Sequence, residues 1–308
     1  MKYIDGFLYR EIDGFLRISN GNLDRPLPLN EIFINKACRT MKNRSLSKLS
    51  FGTPFDALKR IDFLRDFNFL TGLDIGITDY PIDPIYHCPR LEEIYINAGY
   101  LGALDFTRFS RLTKVLIDWK SNGVESLFDC PSLENVSIFN YSGSLEKFES
   151  LSKLKELVLY SPKLISLSGI GCLKELETLQ ITSARKLKDL GDIEDLPRIQ
   201  NLFIHGAKSL IDLSPIRYLK SLKILNLDNL GKVPTIGFLE TLKGLEECYF
   251  GESTNVVDGD LSVIEDLREK HSLQKVIFTN RRHYSHTKEQ LGYKVPESIA
   301  FLLNRNQG

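Results

Sequence analysis

The sequence predicts an α/β solenoid, a stack of short parallel strands joined by tight turns, and three observations predict it. An apolar triplet spaced L-x-x-L-x-L recurs ten times, its interval is nearly constant, and the residues between triplets carry a second spacing of three. The triplets are Leu70/Leu73/Ile75, Leu91/Ile94/Ile96, Leu112/Val115/Ile117, Leu133/Val136/Ile138 and Leu154/Leu157/Leu159, then Leu176/Leu179/Ile181, Ile199/Leu202/Ile204, Leu222/Leu225/Leu227, Leu245/Cys248/Phe250 and Leu273/Val276/Phe278. Their first members lie 21, 21, 21, 21, 22, 23, 23, 23 and 28 residues apart. All thirty positions are apolar, counting Cys248, in a chain that is 42% hydrophobic, which excludes chance. Weaker copies lie upstream at Leu29/Ile32/Ile34 and Leu46/Leu49/Phe51.

Each part of the repeat has its own physical reading. The L-x-L portion alternates with period two, so it makes a short strand with one buried face. Leu164, Leu167, Ile170 and Leu173 lead into Leu176 at spacing three, as do Leu187, Leu190, Ile193 and Leu196 into Ile199. That spacing suits 3-10 turns or extended loops that return the chain to the next strand. One turn cannot bury its own leucines, so successive turns must stack.

The ends depart from the repeat. Residues 1–28 hold a near-duplication, Asp5-Gly6-Phe7-Leu8-Tyr9-Arg10 and Asp13-Gly14-Phe15-Leu16-Arg17, whose Asp-Gly turn signals predict a hairpin-like N-terminal cap. Residues 29–280 carry the repeats, and the last interval lengthens around Asp260, Leu261, Val263, Ile264 and Leu267, the pattern of a helix ending near Lys270-His271. Residues 281–308 read as a C-terminal cap or tail.

Composition narrows the function classes. The chain has 308 residues with 40 Lys+Arg against 40 Asp+Glu. A zero balance argues against a dedicated nucleic-acid backbone binder, which needs clustered positive charge, and against an anionic membrane surface as the main partner. The N-terminus has no uninterrupted apolar run for a signal peptide, and no segment approaches a membrane span. Five widely separated cysteines without a CxxC pair fit reduced thiols, so a cytoplasmic location is expected.

The segment from Leu210 to Leu227, Leu-Ile-Asp-Leu-Ser-Pro-Ile-Arg-Tyr-Leu-Lys-Ser-Leu-Lys-Ile-Leu-Asn-Leu, resembles a short leucine-rich repeat of the internalin-like or phosphatase-regulator-like kind. The resemblance covers roughly residues 29–280. It implies a leucine-rich-repeat horseshoe with a parallel β-sheet on the concave side and 3-10, loop or short helical segments on the convex side. It also implies a binding scaffold, not a particular partner. The family consensus places an Asn after each strand, yet the equivalent positions here are Thr78, Gly99, Lys120, Tyr141, Pro162, Ala184, Ala207, Leu230, Ser253 and Arg281. The backbone groups an Asn ladder would satisfy must find other partners.

In such a horseshoe the residues between and after the leucines face outward along the strands. The candidate partner-binding strip is Asp74, Tyr95, Asn97, Asp118, Trp119, Phe139, Tyr160, Phe203, His205, Asp228 and Tyr249. Exposed aromatics among polar neighbours have the composition of a protein-binding hot spot, and ten strands would give a strip roughly 45–50 Å long. The ends and the convex side are the competing locations. Glu92, Glu93, Glu134, Glu156, Glu177, Glu246 and Glu247, interspersed with Lys114, Lys155 and Lys223, read as a solvated rim of mixed sign.

Catalytic and metal chemistry finds little footing. Cys88, Cys130 and Cys172 lie 42 residues apart, two repeats, and read as small core hydrophobes. His283 and His286 form an H-x-x-H beside Arg281-Arg282, read as a solvated basic tail or a small anion or partner contact. Gly169-Ile170-Gly171 is a repeat turn, not a dinucleotide fingerprint. His205 is a polar or pH-sensitive contact without triad partners. The expected protein is therefore no enzyme, with no metal and no cofactor. Its expected partner is a protein, with no nucleic acid, no membrane and no small-molecule substrate. A cytosolic inhibitor, an immunity-type protein or a regulatory protein fits. The alternatives are a secreted or surface adhesion or glycan-binding module and a substrate-recognition subunit of a larger enzyme complex.

Overall fold

The structure is a computed structural model that describes residues 2–18, 21–22, 25–26, 31–51, 60–76, 81–96 and 100–291. The chain divides into two compact units, Met1–Tyr160 and Ser161–Gly308.

The first unit opens with strands β1 (Lys2–Ile4), β2 (Phe7–Arg10) and β3 (Phe15–Arg17). They form an antiparallel meander. Asp5-Gly6 turns the first corner with positive φ at both residues, 50° and 91°. A small pair, β4 (Gly21–Asn22) and β5 (Arg25–Pro26), follows, then helix α1 (Glu31–Asn43) and strand β6 (Lys48–Phe51). From β3 onward the neighbours are parallel: β6, β7 (Gly72–Ile75), β8 (Glu93–Ile96), β9 (Lys114–Asp118), β10 (Asn135–Phe139) and β11 (Glu156–Tyr160). The second unit continues with β12 (Thr178–Thr182), β13 (Asn201–His205), β14 (Ile224–Asn226), β15 (Lys232–Val233), β16 (Glu247–Phe250), β17 (Asn255–Val256), helix α2 (Ser262–Lys270) and β18 (Lys275–Phe278). Within it β12, β13, β14, β16 and β18 pair in parallel, and β15 pairs with β17 at the side.

Register turns the sequence period into columns. Val115, Val136 and Leu157 face one another across β9–β11, as do Ile117, Ile138 and Leu159, and all six are buried. In the second unit Leu179, Leu202, Leu225, Cys248 and Val276 form the same buried column. Each such side chain contributes about 1.5–3 kcal/mol when taken out of water. The period-three residues become successive 3-10 turns. Ile170 N–H donates to Leu167 O (3.0 Å), Leu173 to Ile170 (3.1 Å) and Leu176 to Leu173 (3.1 Å), so the same leucines that pack inward also close the turns.

The missing Asn ladder is replaced piecemeal. Ala184 and Ala207 are buried, and their carbonyls accept from Leu187 and Leu210 N–H, each at 3.0 Å. Buried Thr254 donates its hydroxyl to Leu227 O (2.6 Å) and accepts from Leu230 N–H (3.0 Å). On the return side Ser166, Asp189, Asp212, Thr235 and Asp258 stand 23 residues apart, and each side chain accepts the backbone N–H two residues on, at 2.9–3.2 Å. Thr78 and Gly99 lie outside the described residues.

Two expectations need correction. Ile32 and Ile34 are not on a strand: Ile34, Ala37, Cys38 and Met41 are the buried face of α1, a helical period. The first repeat strand is thus β6, with Leu49 and Phe51. Residues 281–286 are not a solvated tail. Arg281 Nη2 donates to Thr254 O (2.9 Å), Val256 N–H donates to the Tyr284 hydroxyl (2.9 Å) and Leu261 N–H donates to Ser285 Oγ (2.9 Å). The His283 ring nitrogen Nε2 lies 2.9 Å from Val256 O, and His286 Nε2 lies 3.3 Å from Glu265.

After the strands a left-handed residue recurs at Ser183, Gly206, Asn229 and Glu252, with φ of 60°, 74°, 60° and 52°. Glu252→Gly should therefore be neutral or stabilising by up to about 1 kcal/mol. Gly191 differs: its φ is +49° and an added Cβ would fall 2.2 Å from Ser168 N. Gly191→Ala should cost about 3 kcal/mol through strain and overpacking. Urea unfolding of the two variants measures both, and equal effects would refute this distinction.

Candidate partner-binding surface

The outward face of each strand stack is built by the positions that alternate with the core. In the first unit its N-terminal end is closed by charge pairing. Arg10 Nη2 donates to Asp74 Oδ2 at 3.0 Å, and Ser50 Oγ donates to the same oxygen at 2.8 Å. Glu93 receives Lys48 at 3.0 Å and Lys114 at 3.5 Å. Beneath this lattice lies Phe15, fully buried, with the Arg10 guanidinium 5.0 Å from its ring and the Tyr95 ring 5.8 Å away. The Tyr95 hydroxyl donates to Glu93 Oε2 at 3.2 Å; burial first, then the Glu93 carboxylate, push its phenol well above the ordinary value. Asp74 and Tyr95 therefore spend their polar groups internally. Asn97 lies outside the described residues.

Strands β9–β11 present a different surface. Leu116, Ser137 and Val158 share one register row, and Asp118, Phe139 and Tyr160 the next. The half-buried Phe139 and Tyr160 rings stack at 4.5 Å and 22°. Leu116, absent from the candidate strip, extends this apolar patch, and Val158 lies buried beside it. Beside it is a shallow dent of about 200 Å³ lined by Tyr95, Lys114, Val115, Asn135, Ser137 and Glu156. Asn135 Nδ2 donates to Glu156 Oε2 there at 2.6 Å. The arrangement offers a ring stack next to a small polar recess, the pairing of anchor and pocket that partner side chains use.

Asp118 and Trp119 do other work. Asp118 accepts Lys120 N–H (2.9 Å) and Asn140 Nδ2 (2.8 Å), which pins Asn140 in its left-handed conformation at φ 57°. Trp119 turns towards the repeat interior, edge-on to Tyr141 at 4.8 Å and Phe128 at 5.9 Å. Tyr141 is itself buried and donates to Ser144 O at 2.6 Å.

In the second unit Gln180, Phe203, Asn226 and Tyr249 share a register row, so its aromatic rings are separated by an amide. Tyr249 donates to Glu247, and Lys275 Nζ lies 5.1 Å from the ring centre. Burial, then the Glu247 hydrogen bond, raises the Tyr249 phenol above its usual value. Asp228 accepts Gly251 N–H through Oδ1, while its own N–H donates to Asn226 Oδ1 at 2.9 Å. His205 Nε2 lies 3.4 Å from Glu252 Oε2, an ion pair when the imidazole is protonated. Along the rims Glu134 pairs with Lys155 and Glu246 with Lys223.

The repeat period, the parallel register and the 3-10 returns together decide the architecture. The fold is that of leucine-rich repeats. No protein-family model and no curated protein matches the sequence. Among solved structures the leucine-rich-repeat chain is similar to an internalin, InlF, of Listeria monocytogenes, with 16% identity and a TM-score of 0.49 over 88% of this chain and 83% of that one. It is similar to the functional domain of InlJ from the same species, at 15% identity and 0.46, covering 75% of this chain and 48% of that domain, about half its length. The leucine-rich-repeat domain of the type III effector XopL gives 18% identity and 0.47, over 70% and 77%.

The cysteines sit in the repeat stack. Cys88, Cys130 and Cys248 are buried, and burial pushes their thiols up to about 12, about 11 and about 12. Cys88 Sγ donates to Phe67 O at 3.5 Å. At about pH 9, where an ordinary thiol is largely ionised, native-state alkylation followed by mass spectrometry should modify the half-exposed Cys172 well before these three. Prompt labelling of Cys88 or Cys248 would contradict this.

Proposed function

We propose that this chain is a non-enzymatic recognition module that docks a partner protein on the outward face of its leucine-rich strands. The observation that carries the reading is the Phe139–Tyr160 stack, half-buried on an open sheet face and bordered by Leu116, Val158 and the polar dent. A rigid stacked pair loses little conformational entropy on binding, and its surroundings supply both apolar area and hydrogen-bonding groups. Charged pairs at the N-terminal end, Arg10–Asp74 and Lys48–Glu93, would orient the partner rather than anchor it.

The chemistry within the repeats favours binding over catalysis. Burial holds Cys88, Cys130 and Cys248 in the thiol form, which is the poorer nucleophile and metal ligand. His205 Nε2 faces Glu252 Oε2 at 3.4 Å, a polar contact beside the aromatic row. None of the five cysteines forms a disulfide, in keeping with a reducing compartment and with a cytosolic inhibitor, immunity-type or regulatory role.

The test is affinity capture from the native cytosol, followed by calorimetry on the captured partner with the Phe139→Ala/Tyr160→Ala double variant. Two hot-spot aromatics should together cost about 2–4 kcal/mol, a loss of thirtyfold or more. Lys147→Ala, on the 3-10 side, should bind as the parent does. A partner held equally by the double variant would overturn the assignment of the site.

A further inference from the structure

The return side of the second unit carries a cation array that the zero net charge of the chain conceals. Five segments, 162–166, 185–189, 208–212, 231–235 and 254–258, repeat every 23 residues. Backbone pairing joins the first two and the last two: Lys188 N–H donates to Ile165 O (2.8 Å), Ser166 bridges Asp189, and Lys232–Val233 pairs with Asn255–Val256, while Ser209 Oγ ties the third segment to Arg185 O (2.8 Å). Lys163, Arg185, Lys186, Lys188, Lys208 and Lys232 project from these segments, all exposed. None of the six belongs to an ion pair among the described residues, a property they share with other lysines such as Lys120, Lys174, Lys220 and Lys243; what sets them apart is their alignment on one side. The acids within the five segments are Asp189, Asp212 and Asp258, whose carboxylates cap the N–H groups of Gly191, Ser214 and Asp260, and Asp192, just beyond them, accepts Gly169 N–H. Within the segments six cations therefore stand beside three carboxylates already committed to the backbone.

The same segments expose aliphatic side chains in one column: Ile165 at 56%, Ile211 at 61% and Val257 at 51%, with the exposed Pro234 between the last two. At a strand spacing of about 4.8 Å the five aligned segments run for about 19 Å.

We propose that this side of the second unit is a docking face for an anionic phospholipid bilayer. Three features select that occupant. Five of the six cations are lysines, point charges suited to a diffuse field, while bidentate recognition of a carboxylate or phosphate uses arginine. No residue of the five segments is aromatic, so the stacking platforms of single-stranded nucleic-acid sites and the anchors of protein interfaces are both missing. Exposed aliphatic tips beside lysines match the boundary between headgroups and acyl chains, where apolar contact adds to electrostatic attraction. Because the whole chain is neutral, this side also gives the molecule a charge asymmetry that would turn it towards a negative surface.

The experiment is co-sedimentation of the full chain with phosphatidylcholine vesicles, with and without phosphatidylserine, at low and high salt. Binding should require phosphatidylserine and fall at high salt. Lys163→Glu/Lys186→Glu/Lys188→Glu should weaken partitioning by about a hundredfold or more, given the contribution of each basic residue near such a surface. Ile211→Ser should weaken it severalfold, and Lys147→Glu, outside the array, should change it far less. Circular dichroism confirms that each variant is folded. Partitioning that ignores phosphatidylserine, or a folded triple variant that binds like the parent, overturns the proposal. Binding of poly-glutamate without binding of the vesicles would assign the face to an acidic protein and overturn it as well.

Discussion

Stacking of inward-facing aliphatic side chains between consecutive repeats is the constraint on which everything else in this protein depends. A strand of three to five residues has too little surface to bury a core, and a single 3-10 turn is no better. Leu157 is buried because Val136 lies beside it in register, and Val136 because Val115 does. Stability in such a stack is a sum of repeat and nearest-neighbour contributions. The chain must therefore hold register, since a slip of one residue would send every leucine to the outward face.

Register is held by devices that the leucines do not supply. The carbonyl of Glu134 receives both Lys155 and Glu156 N–H at 2.8 and 3.0 Å, and those of Glu177 and Lys223 each receive two N–H groups in the same way at their own strand entries. The column of Ser166, Asp189, Asp212, Thr235 and Asp258 closes each return turn with a side-chain oxygen. Asp118 with Asn140 does similar duty after β9. These small polar groups carry out piecemeal what a continuous amide ladder would do, and each is worth about 1 kcal/mol. Their scatter among Ser, Thr, Asp, Asn and Ala is why no single consensus position reveals them.

The sequence made the strands legible because burial constrains their identity twice, by hydrophobicity and by spacing. It misplaced Ile32 and Ile34 because their spacing satisfies the strand triplet, while the helical set Ile34, Ala37, Cys38 and Met41 overlaps it and wins by packing. Surface roles were less legible. Asp74, Asp118 and Asp228 look like free contact residues in a linear sequence, yet each is held by a residue 22 or more positions away: Arg10, Asn140 and Gly251. Trp119 follows a strand at the place where an outward residue is expected, but the neighbouring Tyr141 and Phe128 draw its ring inward. Outward positions answer to pairs across repeats, and a period fixes which positions can meet without saying which of them do.

That asymmetry bears on how the surfaces divide. Inward positions are locked by packing, whereas lateral and outward columns answer mainly to their own neighbours in register. One unit can thus carry an aromatic pair and the other a lysine array without either disturbing its own core. The Phe139–Tyr160 pair sits where side chains are half-buried and rigid, a setting in which apolar contact is strong and salt has little influence. Lys163, Lys186, Lys188, Lys208 and Lys232 are exposed and, among the described residues, outside the ion pairs, a setting in which attraction is long-ranged and falls steeply with salt. Ionic strength therefore separates the two surfaces on physical grounds: association through the ring pair should persist in salt that abolishes association through the lysine side, because only the second depends on charges left in water.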